Sequence, residues 1–347
     1  MNNNLISTFA VLKQVKKPLK LISLKIPNIK DDQVLVKIKF TYICGSQINE
    51  IDGKKGKDKY LPHLLGHESS GIIVRVGRKI KKLKENDRVI LSWIKKRKKD
   101  PKNPSYKDLK GNTINSGPIS TFSKYTIVGE NRVYKVPKKI PLDIAALFGC
   151  AIPTGFGIIF NHIKKLNKNT LIGIYGCGGV GLMSLIALKT LGFNNIYTVD
   201  KNKNNLNIAK KFGCNQNYFI QNIKKEEFKL KFKKVNAVNI EMSGNKEVMA
   251  LAIDNLPKNG TCILSGNVKK GVKIKIDPYD LIFGKKIIGF AGTNLSLEKN
   301  ISSYSKMIQK IDIKKIRSLF KIYKLTSINQ AVKDFKSGKV LRPLIKL

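Results

Sequence analysis

The sequence predicts an α/β protein, strand-rich in its first portion and built on a doubly wound parallel sheet in its second. Up to about residue 150, apolar and polar residues alternate or run together over strand lengths, with frequent turn signals between them. Beyond Ala151 the chain changes to a strand, helix, strand rhythm, which argues for a parallel sheet with crossover helices. Its 347 residues, 42% of them hydrophobic, are too many for one small core and enough to fill two.

The opening stretch, MNNNLISTFAVLKQVKKPLK, reads as two short strands around a KKP turn. It lacks the charged start, unbroken apolar block and small-residue cleavage site of a secretory leader. QVLVKIKFTYI, SGIIVRVG and DRVILSW read as strands. From Trp93 to Gly117 the pattern lapses into a polar, Pro- and Lys-containing loop, and it resumes with TFSKYTIV and NRVYKVP. The stretch TLIGIYGCGGVGLMSLIALKTLGFNNIYTVDKN then gives an apolar strand, a glycine turn, a helix of small and aliphatic residues, and a second strand ending in Asp200. NLNIAKKFGC follows as a helix. VNAVNIEM and NGTCILSG are expected as buried strands with the helix VMALAIDNLP between them. After about Gly289 the pattern turns mixed and closes with a helix, INQAVKDFKSG, and a short final strand.

A formal charge of +44 raises nucleic acid as a partner, but the distribution argues against a specific one. Lysine supplies nearly all of the positive charge and is spread almost everywhere, whereas arginine, the better fork for phosphates and guanine edges, is scarce. Nonspecific adhesion to polyanions at low salt is expected instead. The denser runs Ile94–Lys102 and Ile223–Lys234 read as solvated loop and helix faces. No apolar run is long enough to span a bilayer, so no membrane partner is expected. Five scattered cysteines, an odd number, do not form a disulfide framework and point to a cytoplasmic protein with reduced thiols.

Gly176-x-Gly178-x-x-Gly181 follows the strand LIGIY and opens a helix, and Asp200 ends the next strand 19 residues after Gly181. That context makes the pattern a dinucleotide fingerprint. The first glycine permits the tight turn, the second admits a pyrophosphate, the third lets helix and strand pack, and the intervening Gly179 and Val180 begin the helix whose free N–H groups face the phosphates. Asp200 would accept hydrogen bonds from the adenosine ribose and repel a 2′-phosphate, favouring NAD over NADP, although Lys201 and Lys203 stand close by.

In LPHLLGHESSGIIVRVG, His67 and Glu68 sit side by side just before a strand. Alone, such a pair is ordinarily a buried histidine satisfied by its neighbour. Distant residues change the reading. Cys44, in TYICGS, ends a strand, and Cys150, in GCAIPTGFG, lies in a turn just before the dinucleotide portion. Cys44, His67 and Cys150 make a Cys₂His set with a fourth position open, the pattern of a catalytic zinc.

With these residues in place, the chain resembles the zinc-dependent alcohol dehydrogenases of the medium-chain dehydrogenase/reductase family over essentially its whole length. The matching motifs are CGS at Cys44, GHE at Gly66, VG…DRV from Val76 to Val89, GCxxxTGFG at Cys150, GCGGVG at Gly176, and Asp200. The resemblance implies a GroES-like, β-rich catalytic domain over 1–150, to which 291–347 returns. Between them it implies a Rossmann NAD-binding domain over 151–290, with an active-site cleft where the two meet. It implies one zinc on Cys44, His67 and Cys150, with Glu68 just behind it, and Ser46 as the proton relay. Thr154 would lie near the nicotinamide and Arg342 would reach the cofactor pyrophosphate. A homo-oligomer, dimer or tetramer, acting on a small-molecule alcohol or its carbonyl product is implied as well.

The departures are specific. Members of the family often hold a second, structural zinc on four closely spaced cysteines, and the lobe from Trp93 to Gly117 contains no cysteine. Cys177, Cys214 and Cys262 read as core or turn residues. Gln47 stands where many relatives have an aspartate, and Asn49 where several have a proton-passing histidine. His63 and His162 are assigned surface or packing roles. The loop YKDLKGNTINSGPISTF is distinctive. Two other readings stand beside the main one: the same chemistry run as a reductase on a sugar, polyol or glutathione adduct, and a noncatalytic polyanion- or RNA-binding protein.

Overall fold

The structure is a computed structural model that describes residues 5–224, 228, 237–292 and 295–347. Most of the basic run Ile223–Lys234 therefore lies outside the described residues. The chain divides into two compact units. One comprises Met1–Pro153 and Leu295–Leu347, the other Thr154–Asn294.

The ten-residue strand Gln33–Tyr42 organises the first unit. It pairs antiparallel with Glu68–Val76, Tyr125–Gly129 and Arg342–Lys346, so the chain's last strand is seated on one of its earliest. Side chains alternate across a strand. Val34, Val36 and Ile38 accordingly enter one core with Ile73, Val89, Leu91 and Val133. Leu35 enters another with Phe9, Val11, Leu24 and Tyr106. With both faces covered there, Val34–Val36 is an unbroken apolar run before Lys37 and Lys39 restore alternation, and each buried Val or Leu stabilises the strand by about 1.5–3 kcal/mol. Strands Ile6–Leu12 and Lys20–Lys25 pair antiparallel, joined by the KKP turn.

Two stretches hold elements that the sequence reading did not assign. The stretch expected as loop carries strands Tyr106–Asp108 and Thr113–Ile114. Their turn is held by Asp108, which accepts from the Lys110 and Asn112 N–H groups at 2.9 and 2.8 Å. Each strand is too short to show a period, yet Tyr106 and Ile114 are buried, and Tyr106 packs on Phe9 with ring centroids 5.0 Å apart. The mixed segment after Gly289 includes helix Leu297–Gln309, which buries Leu297, Tyr304, Met307 and Ile308 along one face.

The second unit carries a six-stranded parallel sheet. In spatial order its strands are Gln216–Phe219, Ile196–Asp200, Leu171–Tyr175, Ala237–Glu241, Thr261–Leu264 and Lys286–Gly289. The first strand in the chain is thus third in the sheet, and the order reverses beside it. Ligand crevices in such sheets open at that switch point, beyond the carboxyl ends of the strands. Gly176, immediately after Leu171–Tyr175, lies there.

Candidate active site

The strand registers of the first unit assemble the site. Thr41 lies opposite Ser69, and Glu68 opposite Ser92. The end of Gln33–Tyr42, the start of Glu68–Val76 and the end of Arg88–Ser92 therefore share one edge. Cys44 follows the first of these ends and begins helix Gly45–Ile51. His67 precedes the second, its carbonyl accepting from the Trp93 N–H at 3.1 Å. Cys150 is brought in by the turn before it: the Ser92 hydroxyl donates to the Gly149 carbonyl at 2.7 Å. A Cβ on Gly149 would meet the Leu91 carbonyl oxygen at 2.5 Å and the Glu68 Cα at 2.7 Å, so only glycine allows this approach.

The result is a cluster of Cys44, His67, Glu68 and Cys150 whose ligand atoms all lie within 4.8 Å of one another. His67 Nε2 and Glu68 Oε2 are buried and have no hydrogen-bond partner among the described residues. Buried polar atoms are almost always paired, and a cation between these donors would account for both. Two thiols and an imidazole are the donor set of zinc, so the residues fit that metal.

The two sulfurs are shifted in opposite directions. The Cys44 pKa is held well below the usual thiol value by a hydrogen bond from Cys150, with the His67 ring adding to this against the effect of burial. Cys150 is pushed well up, first by its bond to the Cys44 sulfur and then by burial. A thiolate at Cys44 is the form that ligates a metal. Burial pushes the Glu68 carboxyl up, and Arg342 offsets part of that push.

Around the cluster, Gln47 accepts from the Cys44 N–H at 2.8 Å, and its amide nitrogen faces His67 Nδ1 at 2.9 Å. Ser46, two residues after Cys44, has a buried hydroxyl without a partner among the described residues, as does Thr154, the first residue of the second unit, on helix Ala151–Ile158. Arg342, expected at a pyrophosphate, is 3% exposed. Its guanidinium contacts Glu68 Oε1 at 2.5 Å and lies over the Tyr42 ring, with Nε unpartnered among the described residues. One end of its fork is committed to Glu68. His63 is also buried, with Nδ1 on the Leu64 carbonyl at 3.1 Å and Nε2 on Asp58 at 2.8 Å, so both ring nitrogens are engaged. His162 stacks edge-on against Phe290.

Trp93 went unassigned in the sequence beyond marking the start of a loop. Its N–H holds the His67 carbonyl, its carbonyl accepts from Arg132, and its buried indole N–H has no partner among the described residues. The available signal was its place as the sole tryptophan, directly after the strand that faces Glu68.

In the second unit, Gly176 takes φ +97°, and a Cβ there would meet the Ser243 N–H nitrogen at 2.7 Å. Nothing lies within 4 Å of a Cβ built on Gly178, which leaves room over the loop, and helix Gly179–Thr190, including Val180 and Gly181, starts behind it. Asp200 ties the turn to the next strand, accepting from the Cys177 and Asn202 N–H groups at 2.6 and 2.7 Å.

Comparison with known proteins bears on the same regions. The alcohol dehydrogenase GroES-like domain matches residues 30–138, and the zinc-binding dehydrogenase model matches residues 179–312. Alcohol dehydrogenase 6 of Peromyscus maniculatus is 27% identical over 96% of each chain. The crystal structure of benzyl alcohol dehydrogenase from Acinetobacter calcoaceticus is 29% identical, with a TM-score of 0.87 over 99% of both chains. An alcohol dehydrogenase zinc-binding domain protein from Burkholderia ambifaria shares the fold, with a TM-score of 0.89 at 24% identity and 99% of each chain covered. With both family models matched in order and these relatives aligned nearly end to end, the chain belongs to the zinc-type alcohol dehydrogenases of the medium-chain dehydrogenase/reductase family.

Proposed function

We propose that the protein is a zinc-dependent oxidoreductase that transfers a hydride between an alcohol, or its carbonyl product, and NAD(H), working as a cytoplasmic homodimer. The observation that carries the proposal is the Cys44, His67 and Cys150 cluster with its unpartnered, buried imidazole nitrogen. Cys44, His67 and Cys150 would hold one zinc, which would supply Lewis acidity at the substrate oxygen, and a bound nicotinamide would supply the hydride acceptor.

The chain's own groups do the rest. Ser46 takes the alcohol's proton and passes it toward water, a role that its unsatisfied hydroxyl supports. Glu68, buried against Arg342, places a compensated negative charge behind the ligands. Thr154 orients the nicotinamide, and the remaining donors of Arg342 reach the pyrophosphate. The N–H groups from Gly178 to Gly181 bind the pyrophosphate, helped by the open space over Gly178. Asp200 receives the ribose hydroxyls and disfavours a 2′-phosphate.

Metal analysis and kinetics test the reading. The isolated protein is expected to hold about one zinc per chain. Cys150→Ser should remove both metal and activity while leaving NAD binding largely intact. Full activity without metal would refute the proposal. Asp200→Gly should shift preference toward NADP by about tenfold, and should weaken NAD binding because Asp200 also holds two loop N–H groups. Wild-type preference for NADP would overturn the cofactor assignment.

A further inference from the structure

The loop YKDLKGNTINSGPISTF, unexplained by the metal or the cofactor, forms one wall of a cavity of about 770 Å³ in the first unit. Gln47 and His67 belong to the same cavity, so it lies against the metal cluster. Ligand pockets are usually lined by apolar and aromatic side chains. Here Leu64, Leu65 and Ile119 line part of the cavity, but Glu50, Asp58, Asn103 and Asn115 also stand on it, and Tyr60 at its edge is 62% exposed.

Hydrogen-bond accounting shows what the polar groups have to offer. Asn103 donates to the Ser116 carbonyl at 3.1 Å and Asn115 to the Tyr60 carbonyl at 2.8 Å. The Ser116 hydroxyl donates to the Pro104 carbonyl at 2.6 Å. Each of these side chains thus commits one donor to the protein, while the two amide carbonyl oxygens accept no hydrogen bond among the described residues. On the opposite segment stand two carboxylates. Glu50 is paired through Oε2 to Lys55 at 2.7 Å, while its Oε1 is 3.8 Å from His63. Asp58 accepts from the Tyr60 N–H at 3.0 Å and from His63 at 2.8 Å. Burial opposes the charged form of Asp58, but the Tyr60 N–H, His63 and Lys55 outweigh it and lower its pKa. Each carboxylate oxygen keeps a second acceptor position.

We propose that this cavity recognises a neutral polyhydroxylated alcohol, a polyol or sugar, whose hydroxyls donate to Glu50, Asp58, Asn103 and Asn115. The assignment rests on the hydride-transfer reading for what happens to the ligand, but not for its binding. An aromatic or alkyl chain would strip water from two carboxylates and two amide oxygens and return no hydrogen bond. A phosphorylated polyol would set a phosphate near the same carboxylates, with Lys55 already paired to Glu50. A neutral polyol satisfies the spare acceptors and brings no negative charge beside them.

The test uses the zinc-loaded, full-length protein with NAD and compares D-sorbitol, sorbitol 6-phosphate and benzyl alcohol. Sorbitol binding is also followed directly by saturation-transfer NMR. The expected result is a kcat/KM for sorbitol at least about tenfold above that for benzyl alcohol. Glu50→Gln and Asp58→Asn, each checked for folding by circular dichroism, should lower the sorbitol-to-benzyl-alcohol ratio about tenfold, mainly through KM. Preference for benzyl alcohol, a ratio unmoved in Glu50→Gln, or tenfold preference for the phosphorylated polyol would each overturn the assignment. If the zinc-loaded protein oxidises none of the three, the hydride-transfer reading fails on its own. The cavity is then judged by the NMR signal: sorbitol binding that weakens in Glu50→Gln supports it, and absence of binding refutes it.

Discussion

Gln47 has one carbonyl oxygen for two jobs. That oxygen accepts from the Cys44 N–H, which leaves the amide nitrogen facing His67 Nδ1. An amide nitrogen only donates, so Nδ1 is the bare ring nitrogen in this arrangement and Nε2 carries the proton. Ligation through Nε2 requires the reverse. A carboxylate at this position would have two oxygens, one for each donor, whereas glutamine must turn and release Cys44. Loading zinc is therefore expected to move the ring proton from Nε2 to Nδ1. With three histidines in the chain, ¹⁵N-histidine NMR can follow this directly, using His63→Gln and His162→Gln for assignment. Gln47→Glu, which supplies the second oxygen, should slow zinc loss to a chelator by about tenfold. An unchanged tautomer on loading, or loss at the wild-type rate, would sink the idea. His63 gives the opposite case. Since both of its nitrogens already contact acceptors, His63→Gln should leave the pH–rate profile of hydride transfer superimposable on wild type. The residue types of the candidate site were legible because metal and phosphate chemistry tolerate few substitutes. The sharing of Gln47 was not, since it depends on which atom faces which.

At the scale of elements, the lobe after Arg88–Ser92 is pinned by a charged fork. Arg132 Nε and Nη2 meet the two oxygens of Asp100 at 2.7 and 2.8 Å, and Asn131 adds a third bond at 2.8 Å. The remaining nitrogen of Arg132 holds the Trp93 carbonyl, and Trp93 in turn holds His67. Bidentate pairs of this kind fix orientation as well as position. Asp100→Ala, which strands a mostly buried guanidinium, is expected to cost about 2–3 kcal/mol in urea unfolding at pH 7. Burial opposes the charged form of Asp100, but Arg132, Asn131 and Lys95 lower its pKa below the usual carboxylate value. Its contribution is therefore present above the unfolded carboxylate pKa and is lost as pH falls through the lower, folded one. Asp100→Asn should accordingly flatten the fall in stability below about pH 4. Equal slopes in mutant and wild type would show that the fork contributes little. Long strands such as Gln33–Tyr42 were legible from their apolar run, and Leu171–Tyr175 from the glycine turn that follows it. The hairpin at Tyr106–Ile114 and the strand Lys286–Gly289 were not, because two to four residues carry no period and tertiary pairing decides them.

For the whole molecule, the open question is how a chain of charge +44 associates with itself. Lys286–Gly289 ends the six-stranded sheet with no neighbour on its outer side among the described residues. An uncovered edge of this kind invites pairing with another chain. The nearby helix Pro278–Ile282 adds apolar surface, with Tyr279, Leu281 and Ile282 exposed at 64%, 45% and 76%. A second copy related by a twofold axis would meet this patch with the same patch, satisfying edge and helix together. Both the proposed homodimer and its salt dependence follow. Two strongly positive chains repel at long range, and ions screen that repulsion within about 10 Å at 0.1 M. Association driven by apolar surface and backbone pairing should therefore tighten as salt rises from about 0.01 to 0.15 M, whereas an interface held by ion pairs would loosen. Analytical ultracentrifugation across that range decides between them. Ile282→Glu puts a charge into the centre of the patch and should shift the species to monomer without changing zinc content, because Ile282 lies in the other unit from the cluster. A wild type that stays monomeric at micromolar concentration in 0.15 M salt, or an Ile282→Glu dimer as tight as wild type, would place the contact elsewhere or remove it altogether.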